Sequence, residues 1–121
     1  MNVSLRGVIV SCQFKPFGDS VRCAVEMDCI DQDEFWQIKL QDGIDKYVFR
    51  KSHVPVTARI TAETEHVCPD AILVPKHIRV EHGARVIRIL LLLPQEAADE
   101  VGGMMLSESV GLSLQGEDGH G

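Results

Sequence analysis

Apolar and polar residues alternate along much of the first three quarters of the chain. Alternation with a period of two predicts a β-strand with one buried face. The clearest stretch covers residues 21–29, and its predicted inward face consists of Val21, Cys23, Val25, Met27 and Cys29. Residues 3–14 are also strand-like, with one face formed by Val8, Val10, Cys12 and Phe14. Residues 56–62 predict another strand, whose inward face is Val56, Ala58, Ile60 and Ala62.

Residues that favour turns divide this β-rich part into short strands. Pro16 and Gly18 predict a hairpin between the first two strands, and Asp42-Gly43 predicts another hairpin. We expect residues 64–70 to form a loop and residues 81–84 to form a turn. The further predicted strands cover residues 35–41, 46–51, 72–74, 77–80 and 85–93. The last of them becomes wholly apolar, which predicts an end that is buried on both faces.

One helix is predicted near the C-terminus. Pro94 suits a first helical turn, and residues 95–106 carry an apolar stripe at helical spacing. The stripe consists of Ala97, Val101, Met104 and Met105. Three acids lie in the first turns, where the helix dipole favours negative charge; they are Glu96, Asp99 and Glu100. Gly102-Gly103 weakens the helix and favours an early end.

The pattern as a whole predicts a mainly β or α+β domain over residues 1–106. We expect a small Greek-key barrel or a sandwich of about seven short antiparallel strands, with one C-terminal helix near 95–106. Residues 107–121 are rich in Gly and Ser and are acidic, so we expect a mobile tail. Val110, Leu112 and Leu114 alternate within it and would also allow docking as an edge strand.

The stretch from Val54 to Val80 resembles the last strands of an OB-fold. It covers less than a quarter of the chain and contains no specific motif. The resemblance implies a barrel surface that could hold a single-stranded nucleic acid.

Composition and the N-terminal sequence indicate an ordinary globular protein of the cytoplasm. The chain has 121 residues, 45% hydrophobic and 25% charged. Its N-terminus lacks the features of a signal peptide, and its longest apolar run, residues 89–93, is far too short to span a membrane. We therefore expect reduced cysteines. Cys12, Cys23 and Cys29 lie at inward strand positions, and only Cys68, in the predicted loop, is a candidate for redox chemistry.

Charge is divided unevenly along the chain. Residues 1–45 hold eight acids against four Lys/Arg, and residues 46–94 hold eight Lys/Arg against four acids. Residues 95–121 hold six acids with no Lys or Arg, so the whole net charge of -6 lies there. The candidate binding residues are the basic strip at 76–88 and two earlier cations: Lys76, His77, Arg79, His82, Arg85, Arg88, Arg50 and Lys51. The strip could contact phosphates, or it could pair internally with the acidic first third or the tail.

Catalytic and metal motifs are weak or absent in the sequence. No phosphate loop, nucleophile elbow or zinc-protease motif occurs, so we expect a protein that is not an enzyme and needs no cofactor. His66, Cys68, His77 and His82 have side chains that zinc prefers, but only His77 and His82 match a usual spacing. The alternative is that these are ordinary surface residues, and we assign no metal.

The leading functional hypothesis is a binding module that docks on another macromolecule. It would be a protein-protein adaptor, or a small accessory or inhibitor protein of a phage or mobile element. Its acidic helix and tail would engage a basic protein partner, and charge segregation would also favour homo-oligomers, with no membrane involved. The alternative is an OB-like protein that binds single-stranded nucleic acid through the basic strip.

Overall fold

The chain folds into a β-barrel. The computed structural model describes residues 2–31 and 53–116. The six strands of this part are β1 Asn2–Phe17, β2 Ser20–Asp31, β3 Val54–Thr61, β4 Glu65–Glu81, β5 Ala84–Pro94 and β6 Val110–Gly116. They close in the order β1-β2-β5-β4-β3-β6, and every pairing is antiparallel. The prediction of a small β-rich barrel or sandwich with a C-terminal helix is confirmed.

The barrel differs from an OB-fold in its strand number. An OB-fold has five strands, whereas the described part of this chain already closes with six. The segment that resembles an OB-fold supplies β3 and β4. The two strands predicted at 35–41 and 46–51, with their Asp42-Gly43 turn, lie outside the described residues.

A bulge in β1 corrects the predicted face of that strand. Ile9 pairs with Met27 and Ser11 pairs with Glu26, so Val10 is an extra residue without a cross-strand partner. One inserted residue shifts the side-chain alternation by one position. Val8 therefore lies on the outer face and is exposed, whereas Cys12 lies on the inner face and packs against the core. The alternation in the sequence predicts the same face for both residues, so the prediction for Val8 was wrong.

β4 is one continuous strand, which corrects the predicted loop at 64–70. Two irregularities explain the error. Pro69 and Asp70 lie opposite the single residue Thr57, and Lys76 is an extra residue next to Pro75. Proline is tolerated at such bulges, so the two prolines that suggested strand breaks bend β4 without ending it.

The barrel interior is filled by most of the apolar residues that the alternation predicts, but Val21, which was predicted to point inward, is 43% exposed at the start of β2. Val25, Met27 and Ile60 are among the large side chains that are fully buried. The apolar end of β5 is buried on both faces, as predicted, because its odd-numbered residues point into the barrel and its even-numbered residues pack outside it. The outer cluster consists of Ala24, Leu90 and Leu92, with Phe17, Ile72 and Val74 packed against it. Ala24 therefore lies outside the barrel, as predicted, but is not exposed.

A helical segment, residues 95–106, closes one end of the barrel. It consists of a 3-10 turn Gln95–Ala97, the short helix α1 Ala98–Gly103 and a second 3-10 turn Met104–Leu106. The predicted stripe faces the core at Ala97, Val101 and Met104, while Met105 is partly exposed. The α-helical part ends at the Gly102-Gly103 pair, as the sequence suggested.

β6 places residues 110–116 of the predicted tail in the barrel, while residues 117–121 lie outside the described residues. Val110–Gly116 pairs with β1 on one side and with β3 on the other. Val110, Leu112 and Leu114 are buried in the common core. This stretch is therefore an interior strand of the barrel wall, and the predicted edge docking understated its role.

Two tight turns fix the register of the hairpins. The β4–β5 turn consists of His82 and Gly83, with φ values of 50° and 80°. Positive φ at both central residues is typical of a type I′ turn. The β1–β2 turn has Gly18 at its first central position with φ of 63°, which is typical of a type II′ turn.

Candidate functional site

The predicted basic strip lies on the β4–β5 hairpin. Lys76, at the β4 bulge, is exposed, and so are His77 and His82. Arg79 and Arg88 lie on the outer face and are only partly exposed, at 32% and 22% of their side chains. Arg85 lies in β5 opposite Val80. Arg50 and Lys51 lie outside the described residues.

Two of the three arginines of the strip, Arg79 and Arg88, are bound to acids of β2 and β4. Arg88 donates to both carboxylate oxygens of Asp28, and Arg79 Nη2 lies 3.0 Å from Asp28 Oδ2. Arg79 Nε also donates to Glu81 at 2.6 Å, and Arg88 Nη1 lies 3.3 Å from Glu26 Oε2. We call these five residues the outer ion-pair network.

The network lowers the pKa of Asp28 to about 2. The largest cause is the hydrogen bond from Arg88, and the Arg79 hydrogen bond adds to it while burial opposes both. The hydrogen bond that each arginine donates to Asp28 likewise raises the pKa of that arginine. Internal pairing of the strip with the acidic first third, the alternative that the sequence left open, is therefore realised at Arg79 and Arg88.

The four candidate zinc ligands are not gathered at one place. His66 and His77 lie eleven residues apart on the continuous strand β4, which corresponds to roughly 30 Å or more at about 3.3 Å per residue. His66 Nδ1 instead contacts a carboxylate oxygen of Glu100 in the helical segment. Within residues 2–31 and 53–116 no group of three or more His, Cys, Asp or Glu side chains could hold a metal ion.

Three of the four cysteines are buried in the core. Burial raises the pKa of Cys23 and of Cys29 to about 12 and that of Cys68 to about 11. Cys68 lies in β4 and is 3% exposed, so its selection as an exposed redox thiol was wrong. Cys12, the fourth, is partly buried, and its Sγ lies 3.5 Å from Sγ of Cys23. All four are free thiols.

Negative charge collects where the helical segment meets β4. Besides burial, Glu100, Glu96 and Asp70 raise the pKa of Cys68, in that order. Glu100 is paired with His66. Asp70 is paired with Arg22, which also donates to the Asp70 backbone carbonyl at 2.9 Å.

An open groove lies between the end of β1 and the start of the helical segment. It has a volume of about 380 Å³ and is lined by Phe14, Gln95, Glu96, Ala98 and Asp99; we call it the acidic groove. Phe14 is 57% exposed. Within the described part of the chain, neither Glu96 nor Asp99 has an ion-pair partner. The groove thus combines an accessible aromatic ring with two unpaired carboxylates.

The sequence did not predict the groove, although both of its acids were predicted to lie in the first helical turns. The helix dipole explains Glu96 and Asp99 only weakly, because α1 has six residues. Phe14 was predicted on a core face, and no local pattern indicated that β1 projects beyond β6. A bulky aromatic near a turn, together with acids after Pro94, was the available signal, and only the closed barrel joins the two.

A second open cleft lies at the C-terminal end of the helical segment. It has a volume of about 860 Å³, and Arg6, Glu63, Glu108 and the exposed Leu106 are among its lining residues. Charges of both signs line it, so it selects no class of ligand.

Comparison with protein families, with curated proteins and with solved structures found no match to this chain. Among the described residues there is also no helix of the length and apolar character that crossing a membrane requires.

Proposed function

We propose that this protein is a non-enzymatic binding module that docks on a basic segment of a protein partner through the acidic groove. The observation that supports it is the contrast between the paired arginines of the hairpin and the unpaired acids of the groove. On the hairpin, Arg79 and Arg88 already have carboxylate partners within the protein. In the groove, Glu96 and Asp99 have none among the described residues. Charge without an internal partner is available to steer and hold an oppositely charged partner.

The buried state of the thiols is in keeping with a binding role. A catalytic cysteine needs an accessible thiolate of lowered pKa, whereas Cys23, Cys29 and Cys68 have raised pKa values. The groove itself offers two carboxylates and an aromatic ring, a set suited to holding a cation.

Charge reversal in the groove tests this proposal. The probe is a cationic peptide, with a neutral peptide and an anionic peptide of the same length for comparison, titrated into the full chain by calorimetry. We expect binding of the cationic peptide alone, and a loss of about tenfold or more in affinity in the double variant Glu96→Lys/Asp99→Lys. The matched control, Glu63→Lys/Glu108→Lys, makes the same charge change at exposed residues of the other cleft.

Two outcomes would contradict the proposal. One is the absence of binding to the cationic peptide at low salt. The other is an equal loss in the groove variant and in the control variant, because attraction to the overall negative charge would then account for the binding.

The second candidate function is binding of single-stranded nucleic acid by the hairpin. Lys76, His77 and His82 are exposed there, and the described residues provide no ion-pair partner for them. This candidate predicts salt-sensitive binding of an oligonucleotide in a fluorescence-anisotropy titration. A flat titration at low salt would remove it.

A further inference from the structure

We propose that the acidic groove accepts an arginine side chain of the partner, which stacks on Phe14 and pairs with Glu96 and Asp99. This inference rests on the proposed function and specifies its occupant. It starts from the position of Phe14 in the barrel. The last β1–β6 pair is Gly7 with Val110, so the part of β1 from Val8 onward has β2 as its single strand neighbour among the described residues.

Phe14 lies on the inner side of this projecting part of β1. It pairs with Cys23, which points into the barrel. Unlike Cys23, however, Phe14 lies beyond the packed core and keeps more than half of its surface exposed. The start of the helical segment forms the facing wall of the groove. A cation seated on the ring would therefore lie between an aromatic face and the carboxylates of that wall.

The protein already contains this arrangement once, filled by its own arginine. The guanidinium carbon of Arg22 lies 5.6 Å from the centre of the Phe17 ring. The same guanidinium group lies 3.4 Å from a carboxylate oxygen of Asp70. Phe14, Glu96 and Asp99 line one groove and supply the same kinds of group, a ring and carboxylates, but no described cation lies between them.

Arginine fits the groove better than lysine does. Its guanidinium group is planar, so it can stack on a ring and still direct its N–H groups sideways to carboxylates. The lysine ammonium group is a compact, strongly hydrated charge that gains less from the ring face. The second carboxylate would accept N–H groups that the first leaves free.

The edge of β1 beyond Gly7, which has no second strand neighbour among the described residues, also suggests a second mode, in which the partner adds a strand to the barrel. Three features of β1 oppose it. Val10 forms a bulge, Lys15 places a charge near the edge, and Pro16 has no backbone N–H to donate. Bulges, lysine and proline are the usual means by which proteins prevent strand addition. We therefore infer recognition of a side chain and not of an extended backbone.

Peptide variants test the inference directly. One cationic peptide is prepared with arginine, with lysine, and with citrulline, the neutral analogue of arginine, at its basic positions. A fourth form carries arginine on an N-methylated backbone that cannot donate strand hydrogen bonds. We expect the arginine peptide to bind most tightly, the lysine peptide about two- to fivefold more weakly, and the citrulline peptide not measurably. The N-methylated form should bind as well as the parent.

Phe14→Leu provides the matching change in the protein. Because the Phe14 side chain is largely exposed, the thermal unfolding midpoint of this variant should stay close to the wild-type value. Its affinity for the arginine peptide should fall by about two- to fivefold. Leu106→Ala, at a residue that is 94% exposed, is the control for loss of an exposed apolar side chain and should bind normally.

The outcomes separate this inference from the proposed function. If the cationic peptide binds and depends on Glu96 and Asp99, but Phe14→Leu and lysine change nothing, the arginine inference is wrong and the proposed function stands. If the N-methylated peptide does not bind, the partner is recognised by strand addition and the arginine inference is wrong. If no cationic peptide binds to the wild-type protein, both fail.

Discussion

Replacement of Asp28 by Asn should destabilise the barrel in a manner that depends on pH. The carboxylate of Asp28 is the centre of the outer ion-pair network, where it joins Arg88 of β5 to Arg79 of β4. The pKa of Asp28 falls from 3.8 to about 2 in the folded protein. One pKa unit corresponds to about 1.4 kcal/mol, so the upper limit of the stabilisation is about 2.5 kcal/mol. Because water still reaches this site and screens the charges, we expect about 1–2 kcal/mol at pH 7.

The sign follows from the direction of the shift. A carboxyl group with a lowered folded pKa stabilises the protein at pH values above its unfolded pKa, near 4, and this contribution is lost as the pH falls through about 2. At pH 3, about half of the contribution should remain. The difference between wild type and Asp28→Asn should therefore shrink by about half between pH 7 and pH 3.

Urea denaturation followed by far-ultraviolet circular dichroism measures this difference. With slopes of about 1–2 kcal/mol per molar urea for a protein of this size, the midpoint should shift by about 1 M at pH 7. Asp19→Asn is the matched control, because Asp19 is an exposed acid in the β1–β2 turn. A difference between wild type and Asp28→Asn that is the same at pH 7 and pH 3 would refute the reasoning. A control that loses as much stability as Asp28→Asn would refute it too.

The remaining predictions concern backbone space, turn geometry and thiol burial. Gly7→Ala should destabilise the protein by about 1–3 kcal/mol, because an added Cβ would lie 2.5 Å from the backbone oxygen of Asp28. Gly102→Ala should raise the free energy of unfolding by about 0.5–1 kcal/mol, because the space around Gly102 is open. Thermal denaturation of both variants measures these changes. Gly83→Ala should cost about 1 kcal/mol or more, because φ is 80° there; an unchanged melting temperature would contradict the turn assignment. In the native protein, a thiol reagent at pH 8 should react much more slowly with three cysteines than in urea: Cys23, Cys29 and Cys68. Rapid native labelling of these three would contradict their burial.

Local patterns in the sequence were sufficient for several elements. The alternation over β2 and β3 identified both strands and most of their buried residues, because the period of two is a property of the extended backbone itself. The apolar stripe at 95–106 likewise identified most of the residues that the helical segment buries, because helical spacing is a property of the helical backbone. The continuous apolar run at the end of β5 also predicted correctly that both faces of that strand are covered.

Other features depended on which strands become neighbours, and no local pattern contains that information. Val10 and Lys76 are bulges only in relation to the partners across from them, so the faces of β1 and the continuity of β4 could not be read from the chain alone. The Gly/Ser-rich, acidic composition of residues 107–121 predicted a tail, and the alternation at Val110, Leu112 and Leu114 predicted at most an edge strand. Only the closed barrel places β6 between β1 and β3.

The candidate site shows the same division. The sequence by itself determined that charges of opposite sign are separated along the chain, and that strands and a short acidic helical segment would carry them. Only the tertiary structure decided which charges neutralise each other, because Asp28 and Arg88 lie 60 residues apart and meet through the β2–β5 pairing. The same closure brings Phe14 beside Glu96 and Asp99, since electrostatic and packing contacts depend on distance in space and not on separation along the chain.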